Sequence, residues 1–269
     1  MKKSAVMAVI LCSFNINGML TTYFKKFPRV PYGRNINNLA RSNYYSEEER
    51  KKFENDNLRD WLPGKIISLE GVDGTGKTTQ SKLLADYFQR EIGVSTKIVH
   101  EPGGNKLGKI VCELVKFSQI DPLSETLLLY AAFLNSYVDL ISPALKRGDC
   151  IICDRFLTSF YVYQMFGRGV LLKKLKLLDK FYKKITPDLA ILLDADMKQT
   201  SKRIHGRNQP EDKYDSMKKY KRNVLRNGFM NFVQNDPNCF LVIDANSTEE
   251  KVFSDIITGI NTHVKKIFK

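Results

Sequence analysis

Acidic residues are missing from the first 46 positions of this chain, where seven Lys or Arg stand against no Asp or Glu. Half of the formal charge of +14 therefore lies in that segment, and the remaining +7 suits any anionic ligand as well as it suits nucleic acid. Long apolar runs are also scarce. Near the N-terminus Ala5 to Phe14 ("AVMAVILCSF") spans ten residues, too few to cross a bilayer, so no stable membrane anchor is expected. Histidine is rare, with three residues at no metal-ligand spacing, which leaves no zinc site to argue for. The five cysteines make no disulfide framework: Cys150 and Cys153 sit in the β-branched run "GDCIICDRF", and strand residues three apart point to opposite faces.

What is present divides the chain into three parts. Residues 1–46 join Lys2 and Lys3 to an apolar run of signal-peptide length and then to a basic, hydroxyl- and amide-rich stretch. Organelle import is expected from this pattern, to a plastid by the secretory route or to a mitochondrion; a plain basic tail on a cytoplasmic protein is the alternative. Residues 47–62 read as a solvated connector helix, with Ser46 and Glu49 at capping-box spacing and charges of both signs interleaved. Residues 63–269 form the domain. There "KIISLEG", "STKIVHE", "CIICD", "DLAILLDA" and "CFLVIDA" alternate with helical patterns, including a long one over Glu125 to Leu145. Continuous strand runs separated by helices predict an α/β fold, a parallel sheet covered on both faces. The lysine-rich "LLKKLKLLDKFYKKI" (Leu171 to Ile185) has an ordinary amphipathic spacing and gives no reason to expect a nucleic-acid partner.

After the first strand run stands "GVDGTGKT", Gly71 to Thr78, which satisfies G-x-x-x-x-G-K-[ST]. The glycines Gly71, Gly74 and Gly76 allow the backbone N–H groups, including those of Asp73, Thr75 and Thr79, to converge on phosphate at a helix N-terminus. Lys77 would reach the terminal phosphates, and Thr78 would hold Mg²⁺. The ligand is then a nucleoside triphosphate, expected to be ATP. Guanine recognition needs N-K-x-D, and the only Asn-Lys pair, Asn105-Lys106, is followed by Leu107 and Gly108. Motors and transporters need more chain, which leaves small phosphotransferases.

A phosphotransferase needs a second anion site in line with the first. Asp154 and Arg155 supply it at the end of "CIICD", where ligands of open parallel sheets bind. Asp154 would orient the metal or its water; Arg155 would offer a guanidinium fork to the acceptor phosphate.

"ISLEGVDGTGKTTQ", "HEPGG", "PALKRGDCIICDRF", "SFYVYQMFGRGV", "PDLAILLDAD", "KRIHGR" and "VIDANSTEE" occur in the order and spacing of the thymidylate kinase family. The chain resembles that family over Gly64 to Lys269. The resemblance implies the P-loop NTPase three-layer fold with five parallel strands and a lid, and transfer of the γ-phosphoryl group of ATP to a nucleoside monophosphate, most often dTMP. It also implies Mg²⁺ dependence and a homodimer. The loop is similar to the bacterial type, since the eukaryotic type carries Arg where Gly74 stands. By the same resemblance Asp73 would meet the acceptor's sugar or phosphate, while Glu101, Pro102, Gly103 and Gln164 would line its pocket. Arg155 and Arg168 would be cationic or structural elements beside it, and Tyr163 would crowd the sugar 2′-position. Arg203 would pack near adenine; Arg207 and Lys213 would belong to the lid.

The pattern departs from the family at the base. Register from Pro143-Ala144-Leu145 puts Phe133, or with a one-residue slip Leu134, where the family usually has an arginine facing thymine, and no Lys or Arg occurs between Lys116 and Lys146. Phe160 replaces a small polar residue, and His100 replaces an arginine before Glu-Pro-Gly-Gly. A base carbonyl left without a donor costs about 1 to 3 kcal/mol, which stacking on two rings returns only in part. Relaxed base selectivity is expected. The alternatives are an impaired, ATP-binding relative with a regulatory or scaffold role, which would release no ADP in response to an acceptor, and a nucleic-acid-dependent P-loop ATPase.

Overall fold

A computed structural model describes residues 47–178, 186–206 and 219–268. Five parallel strands, β1 (Ile66–Glu70), β2 (Thr96–His100), β3 (Cys150–Asp154), β4 (Leu189–Asp194) and β5 (Phe240–Asp244), form one sheet in the order β2-β3-β1-β4-β5. All five are the runs expected from sequence. Central β1 and β3 are buried along their whole length, which is why they read as mostly apolar runs, with Ser68 inside β1 and the carboxylates Glu70 and Asp154 at the carboxyl ends. The edge strands are covered less well, with Ile98 of β2 and Val242 of β5 each more than 40 % exposed.

The helices are α1 (Glu47–Trp61), α2 (Lys77–Tyr87), α3 (Lys106–Phe117), α4 (Pro122–Ser136), α5 (Ser142–Lys146), α6 (Leu157–Val162), α7 (Leu172–Leu178), α8 (Met197–His205), α9 (Lys219–Asn235) and α10 (Glu249–Ile267). Against one face of the sheet, α2, the turn after it and α10 bring Leu84, Phe88, Val252, Ile256 and Ile260 to the core residues Ile67, Leu69 and Ile191. The opposite face carries Phe133, Ile141 and Phe156 over Ile151 and Cys153, and Val162, Leu225 and Phe229 over Leu192. Cys150 and Cys153 fall in different layers, as strand alternation requires. Burial pushes the Cys150 thiol up to about 12 and raises that of Cys153 as well.

Two expectations change. The long helix over Glu125 to Leu145 is α4, a wide π turn over Tyr137–Ile141, and α5. Pro143 has no N–H to return to the preceding turn, and the wide turn accommodates the missing bond. By length and composition Pro122–Lys146 could cross a membrane, yet it carries Glu125, fully buried and 3.1 Å from the Arg168 guanidinium.

The second change concerns α1, which is not a solvated connector. Leu58, Trp61 and Leu62 are buried in the main core with Phe88, Ile92 and Val264. Glu54 bonds Lys265 at 2.6 Å, and the Arg59 Nε donates to the Ile92 carbonyl at 3.0 Å. The apolar spacing i, i+3, i+4 is confined to the last turn, where the charges of the preceding turns obscure it. Ser46, the expected cap, lies outside the described residues, as do residues 1–45 and 179–185.

Parallel register brings the chemistry together. Leu69 pairs with Asp154 on one side and Ile191 on the other, so the loop after β1 and the Asp-Arg pair after β3 emerge side by side at the carboxyl edge.

Candidate active site

The loop from Gly71 to Gly76 turns tightly between β1 and α2. Gly74 has φ +83°, and a Cβ there would lie 2.6 Å from the Thr200 carbonyl oxygen, so this backbone leaves no room for the arginine of the other loop type. Gly76 precedes α2 at φ +95° with no side-chain cap, leaving the first-turn N–H groups directed at the cleft. Thr75 Oγ1 donates to the Val72 carbonyl at 3.0 Å and braces the turn. Lys77 Nζ donates to the same carbonyl at 2.8 Å. Burial, with the Arg155 charge acting in the same direction, pushes its ammonium down to about 7.

Thr78 Oγ1 donates to Asp154 Oδ2 at 2.5 Å, and His100 Nδ1 lies 3.1 Å from the same oxygen. Burial raises the Asp154 carboxyl, but the His100 hydrogen bond and the Lys77 charge outweigh it and hold the group at about 2. Its Oδ1 is buried with no hydrogen-bond partner among the described residues. A threonine hydroxyl beside an ionised carboxylate with one uncommitted oxygen is a hard oxygen donor set, which fits Mg²⁺.

Arg155 lies at φ +69°, a region that costs a non-glycine residue energy. Surrounding bonds hold it there: its N–H donates to Leu69 O at 3.0 Å, and its guanidinium donates to Gly71 O at 3.0 Å and Asp73 Oδ1 at 2.5 Å. The Tyr163 hydroxyl donates to Asp73 Oδ2 at 2.8 Å, and its ring lies 5.2 Å from the guanidinium carbon. Asp73, Arg155 and Tyr163 thus form one unit that ties the phosphate loop to the acceptor side.

Under this unit lies Glu70, which the sequence did not single out. Its Oε2 accepts from Ser159 N at 3.1 Å and Ser159 Oγ at 2.5 Å. Burial pushes the carboxyl up to about 7, against the lowering effect of Ser159 and Arg155. A glutamate whose folded value exceeds its ordinary 4.5 takes up a proton on folding. Its favourable contribution is complete below about pH 4.5 and is lost as pH rises through about 7. Glu70→Gln is therefore expected to flatten the stability profile between pH 5 and 8 by an amount on the order of 2 to 3 kcal/mol. Chemical denaturation at several pH values measures it; parallel profiles for wild type and variant would refute it.

A cleft of about 970 Å³ opens in front of these groups. Asp73, Gly76, Lys77, Thr78, Thr79, Asp154 and Arg155 form its phosphate end. Glu101, Pro102 and Gly103 line the side wall, and Phe133, Phe160, Tyr163 and Gln164 line the far end. Glu101 Oε1 accepts from Ser136 Oγ at 2.5 Å; burial, opposed by that bond, pushes the carboxyl up to about 8. Behind the far end the Tyr130 ring lies 6.3 Å from Phe133 and 5.7 Å from Phe160, so that end of the cleft is backed by an aromatic cluster.

The helix α3 supplies wall residues that sequence reasoning missed: Lys109, Cys112 and Lys116. Its N-terminus packs so closely on the preceding turn that a Cβ on Gly108 would lie 1.8 Å from the Pro102 carbonyl oxygen. The only signal was the amphipathic spacing of its buried face, Gly108, Val111 and Val115, which does not say what lies beside that face.

Arg203 donates to Ala245 O at 2.9 Å and to Ser247 O at 3.3 Å, and lines a separate hollow of about 680 Å³ with Gly74, Thr75, Asn246 and Thr248. That hollow adjoins the other side of the phosphate loop. Arg168 is outside the cleft lining and structural, bonding buried Glu125 and, at 2.6 Å, the Ile120 carbonyl. Arg207 and Lys213 lie outside the described residues.

Residues 69–256 match the family model for thymidylate kinase. The chain is 32 % identical over 207 residues to the thymidylate kinase of Caldanaerobacter subterraneus subsp. tengcongensis, covering 76 % of this chain and 98 % of that relative. It is 36 % identical over 203 residues to that of Wolbachia pipientis subsp. Culex pipiens, covering 74 % and 97 %. The crystal structure of thymidylate kinase from Ehrlichia chaffeensis superposes with a TM-score of 0.59 at 29 % identity, covering 74 % of this chain and 98 % of that one. With the phosphate loop, the five-stranded order and the acceptor cleft all present, the chain belongs to the thymidylate kinase family.

Proposed function

We propose that this chain transfers the γ-phosphoryl group of ATP to dTMP, giving ADP and dTDP. The observation that carries the reading is the convergence of Lys77, Thr78, Asp154 and Arg155 on one end of a cleft whose other end is lined by the rings of Phe133, Phe160 and Tyr163. Lys77 and the α2 N-terminus neutralise charge on the donor phosphates, and Arg155, steadied by Asp73, orients the acceptor phosphate for in-line attack. Mg²⁺, held by Thr78 and Asp154, supplies further charge neutralisation on the phosphates when bound. Little covalent work falls to the protein, because positioning and electrostatics carry the rate of phosphoryl transfer.

The working unit is a homodimer. Leu107, Ile110, Leu114 and Phe117 recur along one exposed face of α3, beside exposed Leu127 of α4, and a self-complementary two-fold contact buries such a stripe. The acid-free N-terminal residues 1–46, which precede the family match, serve organelle import, and nothing in their composition calls for a lasting membrane anchor or a nucleic-acid partner.

The test measures ADP release by the full chain with ATP and Mg²⁺ against dTMP, dUMP, dCMP, dAMP and dGMP, with solution mass by light scattering alongside. dTMP-dependent turnover and a two-chain mass are expected. ATP binding without acceptor-dependent ADP release would replace this reading with the impaired, scaffold-like one.

A further inference from the structure

Parallel register pairs His100, the last residue of β2, with Asp154, the last residue of β3. Paired residues of neighbouring strands send their side chains to the same face, so ring and carboxylate meet wherever this register forms. His100 Nδ1 lies 3.1 Å from Asp154 Oδ2, the oxygen that also faces Thr78 Oγ1 at 2.5 Å. The imidazole lines the cleft with 58 % of its side chain exposed, while the Asp154 side chain is only 2 % exposed.

The protons around this carboxylate can be assigned one by one. An ionised carboxylate only accepts hydrogen bonds, so both neighbours must donate to it. Thr78 gives its single proton to Oδ2 and keeps its lone pairs for a cation. His100 must carry a proton on Nδ1, because a lone pair at that distance would oppose the carboxylate; the bond thereby fixes the tautomer. Two donors then occupy Oδ2. Oδ1, buried with no hydrogen-bond partner among the described residues, is the oxygen left for a cation or its water. The terminal torsion of an aspartate is broad, so one donor alone restrains the carboxylate plane weakly. A second donor, reaching the same oxygen from a different strand, limits that rotation.

We infer that His100 is a positioning residue that, through Nδ1, holds Oδ2 of Asp154 so that Oδ1 stays aimed at the Mg²⁺ accompanying ATP. The inference rests on the reading above, in which Thr78 and Asp154 hold that ion. His100 Nε2, on the cleft side of the ring, takes no part in it.

Asparagine and glutamine separate the two ring nitrogens. The Asn amide nitrogen can stand where Nδ1 stands and the Gln amide nitrogen where Nε2 stands, so His100→Asn keeps the donor to Asp154, and His100→Gln moves it into the cleft. His100→Leu removes both. Calorimetric titration of the full chain and the three variants with a non-hydrolysable ATP analogue, with and without Mg²⁺, tests the idea. Mg²⁺ and the analogue favour each other's binding, and the size of that gain reports how well the protein holds the ion. The analogue's affinity in the presence of Mg²⁺ is expected to fall about tenfold in His100→Gln and His100→Leu, the loss typical when a partner behind a metal ligand is removed, with metal-free affinity unchanged. His100→Asn is expected to keep the wild-type gain. A merely structural histidine would instead lower thermal stability or metal-free affinity. That outcome, a wild-type gain in His100→Gln and His100→Leu, or a loss in His100→Asn would each overturn the inference alone. No Mg²⁺ gain in the wild-type chain would overturn the metal reading beneath it, and no dTMP-dependent ADP release would overturn the functional one.

Discussion

Asp154→Ala in the full chain is expected to lower kcat by about three orders of magnitude while ATP binding stays measurable, the rate equivalent of the several kcal/mol that a properly held cation contributes. The size of the effect follows from the carboxylate's place. It ends the fully buried strand β3, accepts from Thr78 and His100 on one oxygen, and keeps the other uncommitted. Alanine removes the charge and leaves Thr78 without its partner. ATP still has the loop amides and Lys77, so the loss belongs in kcat rather than in nucleotide affinity. Single-turnover ADP formation at saturating dTMP, with ATP binding followed separately, checks it. Activity within tenfold of wild type would remove Asp154 from the metal and phosphate machinery.

Arg155→Ala is the second large effect, expected at about two to three orders of magnitude in kcat/KM for dTMP, comparable to removal of one preorganised electrostatic contact. Two losses combine here. The acceptor phosphate loses its guanidinium, and one oxygen of Asp73 loses the donor that faces it at 2.5 Å, while Tyr163 still donates to the other. A double-mutant cycle with Asp73→Ala separates them: coupling between the two sites marks the share that Arg155 exerts through the loop. Additive effects would mean that Arg155 acts on the phosphate alone. Because φ at this position is +69°, alanine also inherits a strained backbone without the bonds that hold it, so thermal stability needs to be followed in parallel.

The features legible in sequence are those that adjacent residues settle among themselves. The phosphate loop requires small residues at set positions, because a side chain at Gly74 would strike a neighbouring carbonyl, and such a requirement appears as a pattern. The central strands are legible for a similar reason: burial on both faces leaves mostly apolar residues, and the Asp-Arg pair follows at once at the end of β3. Even the cysteine placement follows from the two-residue period of a strand.

What tertiary structure decided depends on contacts between distant segments. Whether Leu58 and Trp61 face water or core depends on α10 and the turn after α2, some of which lies 200 residues further along the chain. The cleft face of α3 is set by how Gly108 seats on the Pro102 carbonyl, which no helical period expresses. Glu70 reads as an ordinary strand end until Ser159 arrives from 89 residues away to meet it. The base end shows the division most clearly. Sequence alone determined that a cation is missing from α4, since composition lists every charge. Only the packing of α4 against the turn after α6 brought Thr126 within 2.7 Å of Gln164 across 38 residues, because hydrogen bonds are directional and depend on positions that the chain order does not contain.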